Sequence, residues 1–180
     1  MLTANDIGDG YIDYDTSRRT SYEAFHQDLT DKSRPARGDI LLTKDGTLGR
    51  VAIHDGRDAC INQSVALLRV DSASVTPHFL LACLRGGVYQ DRMLFDAGGT
   101  TIKHIYITRL AKMPLGFPLR PEQQAITSFL NTETAKLDDL TNEAQHTIDL
   151  LKERRSALIS AAVTGKIDLR GYHVHSQPIR

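Results

Sequence analysis

From Glu133 to Val163 the chain runs for 31 residues without a proline or a glycine, and within that run Leu137, Ala144, Leu151 and Leu158 recur seven apart. Leu140, Ile148 and Ala162 lie beside them on the same helical stripe. The pattern predicts an α-helix about 46 Å long at 1.5 Å per residue, with an apolar seam that a lone helix cannot bury. A chain of 180 residues does not need so long a helix to close a core, so the seam is expected to lie against a second long helix. Asp138 and Asp139 fall early in the run and Lys152, Arg154 and Arg155 fall late. That order suits the helix macrodipole and an antiparallel partner. Everything upstream then reads as a domain carried on a strut.

With 41% apolar and 24% charged residues the composition is that of a folded soluble protein. No apolar stretch has the length of a membrane span, and the start MLTANDIGDG lacks the basic and apolar parts of a signal peptide. The expectation is a cytoplasmic protein without a membrane partner. Cys60 and Cys83 have no metal-ligand spacing and read as reduced core thiols. Lys plus Arg and Asp plus Glu both number 22, with 14 of each sign up to Phe117 and 8 of each beyond it. A polyanionic partner would therefore have to be met by basic residues gathered on one face.

Along the chain, residues 1–37 are polar and loop-rich, with a short alternating stretch at Tyr11, Ile12 and Tyr14 but no complete element. Arg18-Arg19-Thr20 and Lys32-Ser33-Arg34 are basic and hydroxyl clusters that suit either phosphate contact or plain solvation. Three strands are predicted at Asp39–Thr43, Arg50–His54 and Ser64–Val70. Between the first two lies the Gly-containing loop 44–49, which reads equally as a bare hairpin turn or as a close approach of backbone to a ligand. Residues 77–95 predict a helix capped by Thr76, with Phe79, Leu80, Cys83, Leu84 and Val88 on its apolar side and a break at Gly86-Gly87. A second Gly-rich loop, 98–105, should lead into a strand or an extended segment through Ile107, with His104 as a surface or packing histidine. MPLGFP, residues 113–118, is expected to be buried and extended. Pro121 then opens a helix with Ile126, Phe129 and Leu130 on its apolar face. Asn131-Thr132-Glu133 marks a bend or restart, with Thr132 capping the long helix, and Gly165 ends it. His173 and His175 sit in a terminal tail that reads as frayed.

No Walker motif, methyltransferase cofactor loop, nuclease signature, zinc constellation or Ser-His-Asp elbow occurs. The chain is therefore read as non-catalytic, with no catalytic or metal-binding residues.

The segments GDILLTKDGTLGRVAI, INQSVALLRV, GGTTIKHI, PLGFPLRPEQQAITSFLNTETAKLDDL and LLKERRSALISAAVTGKID together resemble the specificity subunit of type I restriction-modification enzymes, from about Leu2 to Arg170. The resemblance implies an α+β chain: a mixed β target-recognition domain followed by a long coiled-coil-forming helix. Full-length members carry two such domains and two helices that pack antiparallel as a spacer, and each domain reads half of a bipartite site in double-stranded DNA. The helices dock methyltransferase (modification) subunits, and restriction subunits join them. S-adenosylmethionine, ATP and magnesium are expected on those partner subunits only, leaving this chain without a cofactor.

On this reading residues 1–118 are the recognition domain, N-terminally incomplete against the family pattern; 119–170 are the helical spacer and dimerisation region; and 171–180 are a flexible tail. One domain and one helix make half of the usual subunit, which leaves open a natural short form, a fragment of a longer subunit or a degraded gene product. The missing helix would come from a second copy, as a homodimer, or from another half-subunit. A homodimer would place two readers about 46 Å apart at most, roughly 13 base pairs, over a palindromic split site. DNA contacts are expected from Lys44, Thr47 and Arg50 in the first loop, Thr100, Thr101 and Lys103 in the second, and Asn62, Gln63 and Ser64 between them. Helix pairing is expected from Leu137, Leu140, Ala144, Ile148, Leu151, Leu158 and Ala162. The competing reading is a truncated helical assembly protein that docks or competes for the methyltransferase subunits without reading DNA.

Overall fold

The computed structural model describes residues 1–71, 73–99, 103–168 and 170–171. Thr100, Thr101, His173 and His175 lie outside the described residues. The chain divides into two compact units, Met1–Phe129 and Leu130–Arg180. The division falls inside one helix, eleven residues beyond the 118/119 boundary drawn from the sequence.

The first unit is built on a three-stranded antiparallel sheet of β1 (Ile40–Thr43), β2 (Val51–Ile53) and β3 (Val65–Leu68), in the order β2-β1-β3. Each strand falls within the predicted run, trimmed by one or two residues where the ladder ends. β1 is central, and its side chains alternate between two cores. Ile40 and Leu42 pack with Val51, Leu80, Leu84, Met93 and Ile105. Leu41 packs with Leu2, Ile7, Ala52, Ala59 and Val65 on the opposite face. A strand covered on both faces has no polar side to show, which is why β1 reads as an unbroken apolar run.

α1 (Pro77–Arg85) and α2 (Gly87–Asp96) supply the first cover. Thr76 caps α1 by accepting from the Phe79 amide, and Gly86, with an extended ψ of 141°, separates the two helices. Val88 departs from the predicted apolar face: it is 81% exposed, because the break at Gly86 turns α2 and moves it off the stripe. The second cover comes from residues 1–14, where no complete element was predicted. They contribute bridges rather than strands, Leu2 to Ile61 and Ile7 to Ile12, together with the fully buried side chains of Leu2 and Ile7. A short π-helical turn, Ala24–Asp28, follows.

Two further expectations change. Ile107 does not continue an extended segment but opens the short helix α3 (Ile107–Leu110), with Arg109, Leu110 and Ala111 amides bonding back to Tyr106 and Ile107 carbonyls. In 113–118 only Met113 is buried, and Phe117 is half exposed. Cys60 is buried and Cys83 half-buried, both as free thiols, and burial pushes the Cys83 thiol pKa up.

α4 runs unbroken from Arg120 to Val163. The bend expected at Asn131-Thr132-Glu133 is absent, because no proline or glycine interrupts the backbone ladder and the hydroxyls nearby are absorbed by it. Thr127 and Thr134 each donate to the carbonyl four residues back. Thr132 lies inside the helix and does not cap it. The 44 residues make a helix of about 66 Å, longer than the 46 Å read from the Pro-free run.

Its first turns belong to the first unit through Gln123, which is fully buried. The Gln123 side chain accepts from the Thr76 amide at 2.8 Å and donates to the Ser74 and Pro118 carbonyls at 2.9 and 2.8 Å. Ile126 is partly covered, but Phe129 and Leu130 are exposed. In the second unit Leu137, Leu140, Ile148, Leu151 and Leu158 are 46–61% exposed; Ala144 is exposed and Ala162 partly so. The helix ends as predicted at Gly165, whose φ of +72° lets its own amide reach Ala162 and the Lys166 amide reach Ala161.

Candidate nucleic-acid interface

The two Gly-rich loops come from distant parts of the chain, and the fold sews them together. The first, 44–49, is the tight turn joining β1 to β2. Thr43 closes its base: the hydroxyl accepts from the Arg50 amide at 2.9 Å and donates to the Thr47 carbonyl. Gly49, at φ +89°, holds a backbone conformation that a side chain would strain, and a Cβ there would also have to displace the Gln90 amide, 2.4 Å away. Gln90 in turn donates to the Gly49 and Leu84 carbonyls, so α2 clamps the loop from behind.

The second loop is closed by Gly98 and His104, which exchange backbone hydrogen bonds at 2.8 and 3.0 Å. It is joined to the first by the Gly46 amide on the Lys103 carbonyl and the Ile105 amide on the Lys44 carbonyl, each at 3.0 Å. Side chains complete the seam. The Asp45 carboxylate accepts from His104 Nδ1 and from the Lys44 ammonium, the latter at 2.9 Å. Partial burial works to raise the Asp45 pKa, but the hydrogen bonds from His104 and Lys44 outweigh it and hold the carboxyl below its ordinary value. His104 also packs edge-on against Tyr106, with ring centroids 4.6 Å apart.

These partnerships divide the residues chosen from the sequence. Thr47, Arg50 and Lys103 are exposed on the joined loops, and Gln63 is exposed one residue before Ser64, whose carbonyl accepts from the Lys44 amide of the first loop. Lys44 is not presented in the same way: its side chain is 11% exposed and paired with Asp45. Asn62 and Ser64 are also engaged within the fold. Asn62 Oδ1 accepts from both the Ser64 amide and hydroxyl at 3.0 and 2.6 Å, and Ser64 Oγ accepts from the Ala4 amide at 2.9 Å. They tie the N-terminal segment to the entrance of β3.

Sequence reasoning missed Asp45 and His104 as the link between loops. Asp45 reads as an ordinary turn residue in Lys-Asp-Gly, and His104 reads alone, 59 residues away. It also missed Gln123 and the Arg69–Asp39 pair, in which Arg69 grips a nearly buried carboxylate with Nε and Nη2. Only the paired charge types hinted at that ion pair. Among the described residues there is no group of three or more His, Cys, Asp or Glu side chains able to hold a metal ion.

Comparison with known proteins identifies the family. The family model described as the type I restriction modification DNA specificity domain matches residues 2–150. A putative type I restriction enzyme specificity subunit of Haemophilus influenzae is 30% identical over 135 residues, covering 74% of this chain and 33% of that protein. The EcoBI specificity subunit of Escherichia coli is 27% identical over 129 residues, covering 72% of this chain and 27% of its own length. The chain thus spans about a third or less of the curated relatives it matches.

Two solved structures share the fold. One is the S subunit of a type I restriction-modification system from M. genitalium, with a TM-score of 0.52 and 24% identity over 79% of this chain and 37% of that one. The other, from work on complex assembly and conformational transition of the type I restriction-modification system, has a TM-score of 0.65 and 19% identity over 89% of this chain and 36% of that one. With both loops and most of α4 inside the matched span, the chain belongs to the type I restriction-modification DNA specificity family.

Proposed function

We propose that this chain is a sequence-reading element of a type I restriction-modification system, recognising one half of a bipartite site in double-stranded DNA and directing methyltransferase and restriction subunits to it. The observation that carries the reading is the family match over residues 2–150, which takes in both members of the joined loop pair. Thr47, Arg50 and Lys103, with Gln63 beside them, are the candidate contacts: a hydroxyl, two cations and an amide offer the donor and acceptor types that read base edges and hold phosphates. Thr100 and Thr101 remain candidates from their place in the second loop. The exposed seam of α4 is the proposed docking and pairing surface, met by a second copy, another half-subunit or methyltransferase subunits. S-adenosylmethionine, ATP and magnesium chemistry is assigned to the partner subunits, and this chain supplies the address. A cytoplasmic location follows from that role, and no helix among the described residues is long and apolar enough to cross a membrane.

The experiment is co-purification with the system's methyltransferase subunit followed by a DNA mobility shift at increasing salt. Retention of the subunit together with a salt-dependent shift is the expected result. A second reading, the helical assembly protein that does not read DNA, is favoured by one observation: Lys44, Asn62 and Ser64 are held by partners within the fold. Retention of the methyltransferase subunit with no DNA shift at any salt would select it.

A further inference from the structure

A cluster of cations flanks the second loop, apart from the candidate base-reading residues. Asp96 closes α2, and its side chain is only 9% exposed. Two guanidinium groups converge on it. Arg92 Nε lies 2.7 Å from Oδ2, reaching from one turn back on α2, and Arg109 Nη1 lies 3.7 Å from Oδ1, reaching from α3. Both arginines stay more than half exposed, at 56% and 59%. Lys112 lines the same recess of about 290 Å³ and is exposed.

One carboxylate against three cations leaves a local excess of positive charge in a chain whose net charge is zero. Each guanidinium carries five N–H donors in a rigid fork; Arg92 gives its Nε–H to Asp96, and Arg109, at 3.7 Å, faces the same carboxylate as a charge pair without a hydrogen bond. Asp96 thus holds the two guanidinium groups near one another while more than half of each side chain stays exposed, the arrangement that suits a phosphate oxygen pair. Arg92 is further steadied over the Phe95 ring, 5.9 Å from its centroid. Position matters as much as charge. α2 ends two residues before Gly98 and α3 begins three residues after His104, so the cluster is anchored on both chain ends of the second loop.

We infer that Arg92, Arg109 and Lys112 form a phosphate clamp for a DNA backbone, oriented by Asp96. The inference rests on the DNA-reading proposal above and adds to it the part that sets the register of the duplex, while the exposed loop residues supply sequence discrimination. Neutral partners have no use for such a charge excess, and among polyanions a duplex is favoured because the cluster adjoins the paired loops.

The test is binding of the full chain to a mixed-sequence DNA duplex across a salt series. Absence of any salt-dependent binding by the parent chain would remove the DNA-reading proposal, and the clamp with it. Where the parent binds, R92Q/R109Q is expected to lower the slope of log K against log salt by about 1.8, at about 0.9 for each phosphate no longer neutralised. R92K/R109K, which keeps the charge, should restore most of that slope. An unchanged slope in a double variant that melts like the parent overturns the inference. Should the double variant melt early, K112Q outside the Asp96 pair gives the same test with an expected drop of about 0.9, and no drop there overturns the clamp equally. Loss of heparin binding by the double variant with its duplex binding intact also overturns it, since the cluster would then serve a polyanion other than DNA.

Discussion

Leu41 and Leu151 are the same residue in opposite situations. Leu41 sits at the middle of β1 with no exposed surface, while Leu151 on α4 is 57% exposed. The unit Met1–Phe129 closes two cores by itself, whereas the unit from Leu130 onward presents an apolar repeat whose leucines are about half exposed. The contrast separates apolar residues that hold the chain folded from apolar residues that do not, and it can be attacked from either side.

The largest effect should come from Leu41→Ala, which opens a cavity in a core sealed on all sides. A loss of about 2–5 kcal/mol is expected, read by urea unfolding of the first-unit signal. A loss under about 1 kcal/mol would mean that residues 1–14 do not cover the sheet as described. Next is Gln123→Ala, which leaves the Thr76 amide and the Ser74 and Pro118 carbonyls without their partner. About 2–3 kcal/mol is expected, with early hydrogen exchange at the start of α4. If exchange there is unchanged, the helix is held to the first unit by something other than this side chain.

Asp39 probes the same unit through pH. Burial would raise its pKa, but the hydrogen bonds from Arg69 and the Ala36 amide outweigh it and hold the carboxyl below its ordinary 3.8. A depressed folded-state pKa stabilises above the unfolded value, and that stability disappears as pH falls through the folded one. Acid unfolding below about pH 3.8 should therefore be blunted in Asp39→Asn, which should also cost about 1–3 kcal/mol at neutral pH. Equal acid sensitivity in the two proteins would refute that role. Thr76→Ala should cost about 1 kcal/mol by removing the α1 cap, measured as a modest fall in the unfolding midpoint. The smallest effect sharpens the comparison most. Leu151→Ala should change the stability of the isolated chain by no more than about 0.5 kcal/mol, yet weaken any self-association or subunit binding measured by sedimentation. A large stability loss at low concentration would show that the seam is already covered.

The strands, the Thr76 cap, the break at Gly86 and the Gly165 terminus were legible in the sequence because each depends on neighbours within a few residues. Strand alternation, an N-cap hydroxyl and a positive-φ glycine are local requirements, and one residue type meets each best. The repeat in α4 was legible for the same reason, and the continuous helix even exceeded the reading, since nothing in Asn131-Thr132-Glu133 prevents propagation once the helix has formed on both sides. The second cover of the sheet was not legible. Residues 1–14 bury Leu2 and Ile7 through irregular backbone that carries no period.

Of the candidate DNA-reading residues, the sequence could nominate loop positions by type but could not tell presented groups from engaged ones. Lys44 and Lys103 are the same cation in similar loops. Lys44 is folded onto Asp45, and Lys103 lies exposed while its backbone carbonyl receives Gly46.

What the sequence by itself determined is the set of local elements, the α+β order, the apolar seam of the long helix and, through its motifs, the family. Only the tertiary structure decided that Asp45 and His104 join two loops 59 residues apart, that Gln123 fastens the start of α4 and that Arg92 and Arg109 share Asp96. The physical reason is one of range. Propensity, capping and periodicity act over a turn or a strand, whereas an ion pair or a buried amide takes its partner from whatever the folded chain brings within about 3 Å.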